Sequence, residues 1–466
     1  MNKNGQQESY TYNDINQKTS YTDANGNTYK YNYDSSNNII SQIDPQGNET
    51  KYSYDNNLLK GITTADNIST QNFYNNNHQL IKMIDKAGKI SNFSYDKFGN
   101  LLTLQQIKNN NVLSTVNYKY DDNGYLIAIN NDGKTTNFIN DNLGRATETI
   151  LPSGKKIDYT YDNNNNVLTS NVSGKITKYT YNDFSQLLTR TLPNGKKDTY
   201  SYQGNLVKSS SINTENSRQI EYDYDENANL SKTLVGNDTT SQYDYDLNDN
   251  VLSYTNENGN TTRYAYDNNN NITKSSHSVK ETDNQYNSLN QLVSSTDPNG
   301  NTTKYSYDNL GNVSEVISAN GDTTKNEYDS MGNITSQNVD GKITTYAYDD
   351  SENLSYTIDP NNNKTSYIYN SDGQLTQTIN ALNQSKYYFY NDLGQLVKIE
   401  NNRKEQINAY SYDDFGNVAT ASDSDHVIST YSYDSNNNLV EIDDAYGNPV
   451  SKKEYDQDEK LVSAIN

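Results

Sequence analysis

The chain has 466 residues, 31% of them hydrophobic, a formal net charge of -22, and neither cysteine nor tryptophan. The acidity, without any run of Lys or Arg, argues against nucleic acid or an anionic membrane surface as partner, because phosphate binding needs a concentrated basic patch. Lack of cysteine removes disulfides and thiolate metal sites, and with a mean hydropathy of -1.05 no stretch is apolar enough to insert into a membrane as a helix.

Composition alone places such a chain near disorder, but its order along the sequence does not. The opening Met1–Glu8 has no apolar segment and does not read as a signal peptide. From Tyr12 a tyrosine then returns every 20 to 22 residues, through Tyr33, Tyr54, Tyr266 and Tyr307 to Tyr455. Asn140 takes its place once, and one step of 25 separates Tyr95 from Tyr120. With this tyrosine as marker there are 22 units, the signature of a repeat architecture. Of the 44 tyrosines, 21 hold the marker position and 16 sit two residues before it, so the aromatic content is itself the repeat.

Punctuation within the unit is equally regular. Asp or Asn follows the marker everywhere except at Gln203; glycine recurs at marker plus four (Gly99, Gly311, Gly416) or plus fourteen (Gly47, Gly195, Gly300). Five prolines, Pro45, Pro152, Pro193, Pro298 and Pro360, lie at marker plus twelve. Two turn signals about ten residues apart leave room for two short strands per unit.

Taken in chain order, well-formed units are Tyr31/Tyr33/Asp34, Tyr52/Tyr54/Asp55, Tyr264/Tyr266/Asp267, Tyr305/Tyr307/Asp308 with Gly311, Tyr346/Tyr348/Asp349 and Tyr431/Tyr433/Asp434. These are the expected structural repeat positions, with the aspartate in each opening the turn. In the Tyr307 unit, Thr303, Tyr305 and Tyr307 alternate with Lys304 and Ser306, so both rings leave one face of a strand. Asp308–Asn312 reverses the chain, and an aliphatic residue such as Leu80, Val251 or Val313 opens the second strand. Each unit is therefore predicted to be a β-hairpin continuing one antiparallel sheet, an all-β array covering residues 1–466.

A lone hairpin is at best marginally stable, so ladder hydrogen bonds and ring-on-ring contacts with neighbouring units are expected to hold the array. Ile107–Val112, inside the long step, reads as a hairpin loop lengthened by four residues. Units marked by Tyr74, Tyr95, Asn140, Tyr286, Tyr328 and Tyr455 lack the full tyrosine pair. Neither end carries an evident cap, as expected of a segment completed by further sequence or by another chain.

The residues offer little chemistry. Asp308 and Asp329 could be taken for a glycosidase-like pair, but repeated turn carboxylates lack two individually tuned environments. His78, His277 and His426 read as turn residues of three distant units and form no triad or metal set. The turns Asp162–Asn166 and Asp297–Asn301 place oxygens at alternate positions as Ca²⁺ loops do, without the bidentate Glu that completes them. No catalytic residue, cofactor or metal is expected. Rows of tyrosine could stack on sugar rings, with the off-frame Tyr125, Tyr254, Tyr356 and Tyr446 as the candidates; cross-strand packing is the simpler reading of the others.

The motif Tyr-x-Tyr-Asp-x-x-Gly-Asn with Asp-Pro-x-Gly-Asn, as in Tyr305–Asp308 and Asp297–Asn301, resembles the YD-repeat (RHS-repeat) family over nearly the whole chain. That family includes bacterial polymorphic-toxin and wall-associated proteins, insecticidal toxin-complex subunits and teneurins. The resemblance implies a β-ribbon spiralling into an open or partial hollow shell, secreted or at the cell surface, with a toxin or cargo domain or the rest of the shell as partner. The core segment that directs self-cleavage in family shells, and a toxin domain, are not recognisable after Tyr455. The alternative is a carbohydrate- or cell-wall-binding module, since choline-binding and clostridial toxin repeats are similar in length and Tyr387-Tyr388-Phe389-Tyr390 is similar to their aromatic runs. Those repeats usually carry tryptophan, which is missing here.

Overall fold

A computed structural model describes residues 7–193, 195–212, 218–413, 416–424, 426–434, 438–455 and 461–465. Every regular element among them is a strand, 44 in all, numbered β1 (Ser9–Tyr12) to β44 (Leu461–Ile465) in chain order. Each strand pairs antiparallel with the next along the chain, as in β1 with β2 (Lys18–Thr22) and β2 with β3 (Thr28–Tyr33). The 22 sequence units thus become 22 hairpins of one meandering sheet, and among the described residues no pairing joins β1 to β44. The sheet is a strip, not a barrel.

The unit marked by Tyr307 explains the local geometry. It comprises β29 (Thr302–Tyr307) and β30 (Val313–Ile317), flanked by β28 (Leu292–Thr296) and β31 (Thr323–Tyr328). Thr303, Tyr305 and Tyr307 are half-buried while Lys304 and Ser306 are exposed, the period-2 pattern of a strand with one covered face. Asp308 to Asn312 then forms the marker-side turn, closed by the Asp308 N–H on the Asn312 carbonyl (2.9 Å) and the Gly311 N–H on the Asp308 carbonyl (3.1 Å). Gly311 has φ 88°. Other units fill that left-handed position with Asn165, Asn270 or His78, Asn being among the residues that tolerate it best.

The return strand enters through a bulge. Ser306 faces Glu315 but Tyr307 faces Val313, so Ser314 is an extra residue. The distal turn, Asp297–Asn301, joins Thr296 to Thr302 without any such shift. A bulge at the marker end of each hairpin, against shifts at only a minority of distal joins such as those at Thr233/Leu234 and Ile399/Glu400, bends and twists the strip in a consistent direction.

Among the described residues nothing packs on the strip to make a second layer, and Ala421 is the only buried apolar side chain. The surface is 27467 Å², whereas a globular chain of 52.7 kDa exposes about 17,600 Å². The strip instead meets its own edge. Asn25, in the turn after β2, donates from its backbone N–H to Asn269 Oδ1 (3.3 Å) and from Nδ2 to Asp267 Oδ2 (3.1 Å). Farther along the same seam Asn309 Nδ2 donates to Asp66 Oδ1 (3.0 Å) and Ser330 Oγ to the Lys86 carbonyl (3.3 Å).

Asn269 lies in the turn after β25 (Thr261–Tyr266), so one circuit takes 23 strands. At about 4.8 Å per strand this is a contour of about 110 Å, or a hoop about 35 Å across its backbone and wider where strands tilt. Side chains reaching about 5 Å inward leave a bore of at least about 25 Å. The chain makes nearly two circuits.

Three expectations need correction. The long step between Tyr95 and Tyr120 does not lengthen a loop: β10 (Leu101–Lys108) and β11 (Asn111–Tyr120) are the elements that grow. They are joined by Asn109-Asn110, at φ 49° and 66°, the two-residue turn whose twist matches the strands. The taller hairpin reaches the neighbouring circuit, where Asn109 Nδ2 donates to Asp350 Oδ1 (2.7 Å). His277 is likewise not a turn residue, because it ends β26 (Ile272–His277) and pairs with Lys280 and Thr262.

Asp55 is the third. It does not open a turn as Asp308 does, but is the last residue of β5 (Glu49–Asp55) and faces Leu58, the first of β6 (Leu58–Thr63). Only Asn56-Asn57, at φ 49° and 64°, reverse the chain between them. The physical reason is spacing: an apolar residue follows Asp55 after three positions where Val313 follows Asp308 after five, so a five-residue turn does not fit.

Candidate functional site

The feature built most consistently is the wall itself, and the marker tyrosine is its fastener. The ladder to the next unit stops short of the marker-side turn, so the residue opening the return strand has no partner on the following strand, as Val313 has none on β31. The hydroxyl of the next unit's marker tyrosine donates to its carbonyl: Tyr307 to Leu292 O (2.7 Å), Tyr266 to Val251 O (2.7 Å), Tyr328 to Val313 O (2.7 Å) and Tyr348 to Ile334 O (2.9 Å). The same bond recurs from Tyr33 on Lys18 O to Tyr412 on Leu396 O. Asn140, the one marker that is not tyrosine, supplies the bond from its amide, Nδ2 to Leu126 O at 2.9 Å. A half-buried carbonyl left without a donor is costly, which is why the position demands a donor and not merely an aromatic ring. Burial raises the marker phenols above their ordinary value, both where this bond is made, as at Tyr266, Tyr307 and Tyr412, and at Tyr54 and Tyr433. The partner rings two residues earlier, Tyr31, Tyr52, Tyr264, Tyr305, Tyr346 and Tyr431, are half-buried on the same strand face as their markers.

The turns are locked by the carboxylate after the marker. Asp308 Oδ1 accepts the backbone N–H groups of Leu310 (2.9 Å) and Asn312 (2.8 Å), and Oδ2 accepts Asn312 Nδ2 (2.9 Å). Asp34 and Asp267 make the same three bonds. So does Asp349, whose Oδ1 accepts from Ser351 (2.8 Å) and Asn353 (3.0 Å) and Oδ2 from Asn353 Nδ2 (3.2 Å). Asp434 accepts the Asn438 N–H (2.9 Å) and the Asn438 amide (3.0 Å). Asp55, being a strand residue, falls outside this set, and its Tyr-Asp motif is not a clamp. The distal Asp297 repeats the arrangement with Asn299, Asn301 and the Asn301 amide.

The side-chain amide, then the backbone N–H groups, hold the carboxyls of Asp34, Asp297 and Asp359 below their usual range. Neighbouring turns also join along the rim, for example Asn250 Nδ2 to Asn270 Oδ1 (2.8 Å) and Asn271 Nδ2 to Asn290 Oδ1 (2.9 Å). The abundance of Asp and Asn is thus structural.

Asp308 and Asp329 are not brought together as a pair. Each is consumed in its own turn, Asp329 by Met331, Asn333 and the Asn333 amide. The oxygens of Asp162 and Asp297 considered for calcium are likewise filled by N–H donors. Among the described residues there is no cluster of three His, Cys, Asp or Glu suited to a metal.

Ring-on-ring packing plays a smaller part than expected. Among the described residues it is confined to Tyr10–Tyr21–Tyr29, Tyr159–Tyr161 and Tyr243 with Tyr245 and Tyr254. Of the off-frame tyrosines, Tyr254 packs at a tilt against Tyr243 (5.1 Å), Tyr356 lies under the Lys364 ammonium (4.0 Å) and Tyr125 lies over Gly144, where a Cβ would come within 2.4 Å of its ring. Tyr446 alone of the four is open, at 89% exposure.

A cavity of about 280 Å³ lies where the two circuits meet, beside Tyr21, Tyr29, Tyr31, Glu8 and Asn269. Tyr21 is sandwiched between Tyr10 (5.2 Å) and Tyr29 (5.9 Å), leaving neither ring face open for a sugar. Burial and then the Glu8 carboxylate, which accepts its hydroxyl, push its phenol up to about 12.

The seam holds the residues least visible in the sequence. Lys89 Nζ bonds Glu352 Oε1 (2.9 Å), and Lys134 pairs with Asp372. Glu352 holds the left-handed position, φ 70°, of the turn that Asp349 clamps, so the clamp also aims the seam carboxylate. Lys89 lies in a distal turn of the first circuit and Lys134 opens the strand after another, while both acids stand on marker-side turns of the second. No local spacing links them.

Fold and fastening define a single-layer, wound repeat wall. The RHS Repeat family matches residues 33–68, 245–280, 286–323 and 412–449, and the Teneurin YD-shell family matches residues 60–202. The chain belongs to the YD-repeat (RHS-repeat) family. Among solved structures it is similar to a chain of the Photorhabdus luminescens Tc holotoxin pore, with 15% identity, 98% of this chain and 27% of that chain covered, and a TM-score of 0.53. The TcdB2–TccC3–Cdc42 crystal structure is matched at 14% identity over 98% of this chain and 30% of that one, with a TM-score of 0.48. The chain therefore spans less than a third of the length of these structures. No curated protein matches it.

Proposed function

We propose that residues 1–466 act as one non-enzymatic stretch of YD-repeat wall, enclosing or displaying an adjacent domain of a secreted or surface-bound bacterial toxin or wall-associated protein. The observation that carries this reading is the strip closing on its own edge without a core. The hydrogen bonds from Asn25 to Asp267 and from Asn309 to Asp66 wind a one-layer sheet into a hoop. Its bore of at least about 25 Å accommodates polypeptide, a single helix with its side chains being about 10–12 Å wide. Likeness to a Tc holotoxin pore chain supports a toxin setting and hence an exported one.

Electron cryomicroscopy of the chain within its parent polypeptide tests the proposal. A hollow wall with the neighbouring domain inside it or seated on its rim is expected. A solid particle, or a neighbour tethered at a distance without contact, would contradict it. A glycan array read with wild type and Tyr446→Ala addresses the sugar-binding alternative: saturable binding that Tyr446→Ala abolishes would replace the wall reading.

A further inference from the structure

Among the described residues three pairs of tyrosine rings face each other across neighbouring strands: Tyr10 with Tyr21, Tyr21 with Tyr29, and Tyr243 with Tyr254. One of them is built differently. The Tyr10 and Tyr21 rings stack at 5.2 Å with 27° between their planes, and both hydroxyls donate to a single carboxylate, Tyr10 to Glu8 Oε2 (2.7 Å) and Tyr21 to Glu8 Oε1 (3.2 Å). A shared acceptor turns both phenol oxygens, and with them the ring carbons ortho to those oxygens, toward the same end of the stack. Neither of the other pairs shares a carboxylate among the described residues, and the Tyr243 and Tyr254 planes are tilted by 34°.

Lys18 holds its ammonium 5.8 Å from the Tyr10 ring centre and 5.6 Å from that of Tyr21. A positive charge there opposes formation of a ring radical cation, so an electron leaves either ring only if the phenolic proton leaves with it. Glu8 is hydrogen-bonded to both phenols and is the group placed to take that proton. Glu8 and Tyr21 also line the cavity of about 280 Å³ where the circuits meet, which opens the carboxylate to water that can carry the protons away.

We propose that Tyr10 and Tyr21 form an oxidative coupling site, where a one-electron oxidant of the haem-peroxidase class, fed by hydrogen peroxide, joins the two rings as dityrosine. Each phenol gives one electron to the oxidant and its proton to Glu8. The two phenoxyl radicals then form a carbon–carbon bond between their ortho positions, and the hydrogens displaced from those carbons move to the two oxygens. Two tyrosines and one peroxide become one dityrosine and two waters. Because Tyr10 and Tyr21 are directly opposite, the bond staples β1 to β2, the strand that leads into the Asn25 turn and its contacts with Asp267 and Asn269. Oxidation thus hardens the wall beside the place where its two circuits first meet.

Treating the 466-residue chain at high dilution with a haem peroxidase and limiting hydrogen peroxide, then mapping cross-linked peptides of the monomer band by mass spectrometry, tests this. Tyr10–Tyr21 is expected as the leading dityrosine, ahead of Tyr243–Tyr254, whose rings lie equally close (5.1 Å) and serve as the internal reference. Glu8→Gln should lower the Tyr10–Tyr21 yield about tenfold or more, with the Tyr243–Tyr254 yield and the circular dichroism spectrum unchanged. Tyr21→Phe should abolish the cross-link while keeping the stack. No dityrosine, cross-links spread evenly over the tyrosines, or a Tyr10–Tyr21 yield indifferent to Glu8→Gln would overturn the proposal.

Discussion

The two ends of each hairpin are made from similar turns and behave differently. At the distal end Asp297–Asn301 joins β28 to β29 in even register. At the marker end Asp308–Asn312 is followed by the extra Ser314, and the Val313 carbonyl, beyond the end of the ladder to β31, is bonded by a tyrosine of the following unit. Both turns carry the same carboxylate clamp. The bulge and the hydroxyl that tolerates it are therefore what distinguish them, and a strip that bends at one end of every hairpin winds instead of lying flat.

Abolishing the difference should have the largest effect. Deleting Ser314 evens the register and turns Val313 to the opposite face, removing the Tyr328 hydroxyl bond to its carbonyl. Local stability around β29 to β31 should fall by at least about 3 kcal/mol, read as lost hydrogen-exchange protection in those strands. Removing the fastener alone should do less. Tyr266→Phe keeps the ring but orphans Val251 O, and Asn140→Leu orphans Leu126 O. Each should cost about 1–2 kcal/mol in urea denaturation, whereas Asn140→Tyr should be neutral or stabilising. Equal stability of Tyr266→Phe and wild type would mean that the ring, not the hydroxyl, is what matters.

That contrast also marks the limit of what sequence conveys. Hairpin number and phase were legible because Asp, Asn, Gly and Pro act over four or five residues, and the clamp chemistry of Asp308, Asp349 and Asp434 lies within that span. Asp55 shares their Tyr-Asp signature yet clamps nothing, and the sign of it was Leu58 arriving two positions early. The bulge was not legible, since Ser314 is an ordinary strand residue whose status depends on the partner strand. The marker tyrosine was read as a packing ring because its acceptor lies about fifteen residues upstream, in another unit. The seam was invisible: Lys89 and Glu352 are 263 residues apart.

Acid and alkali should attack different parts of the unit. Asp34, Asp96, Asp162 and Asp359 are held below 3.8 chiefly by the amide of the asparagine four residues on. Their contribution is complete above the unfolded carboxylate value and is lost as pH falls through the lower folded values. Tyr161, Tyr266 and Tyr390 are raised above 10 by burial, so their contribution is complete below pH 10 and is lost as pH rises through the folded values. Thermal melts should therefore hold level between these limits, with a steeper alkaline loss than in a tyrosine-poor sheet. The smallest effect belongs to the seam, where a Lys89→Ala/Glu352→Ala double-mutant cycle should give about 0.5–1 kcal/mol of coupling, reduced by salt.

The winding itself is open to direct measurement because the chain has no cysteine of its own. Asn25→Cys/Asn269→Cys places two thiols across the seam, 244 residues apart in sequence, and Asn25→Cys/Ser153→Cys places them about half a circuit apart. Treated at high dilution with a short bis-maleimide, the first pair should form an intramolecular cross-link in the monomer band and the second should not. Absence of the first cross-link, or equal yields from both pairs, would contradict a sheet that returns to its own edge after 23 strands.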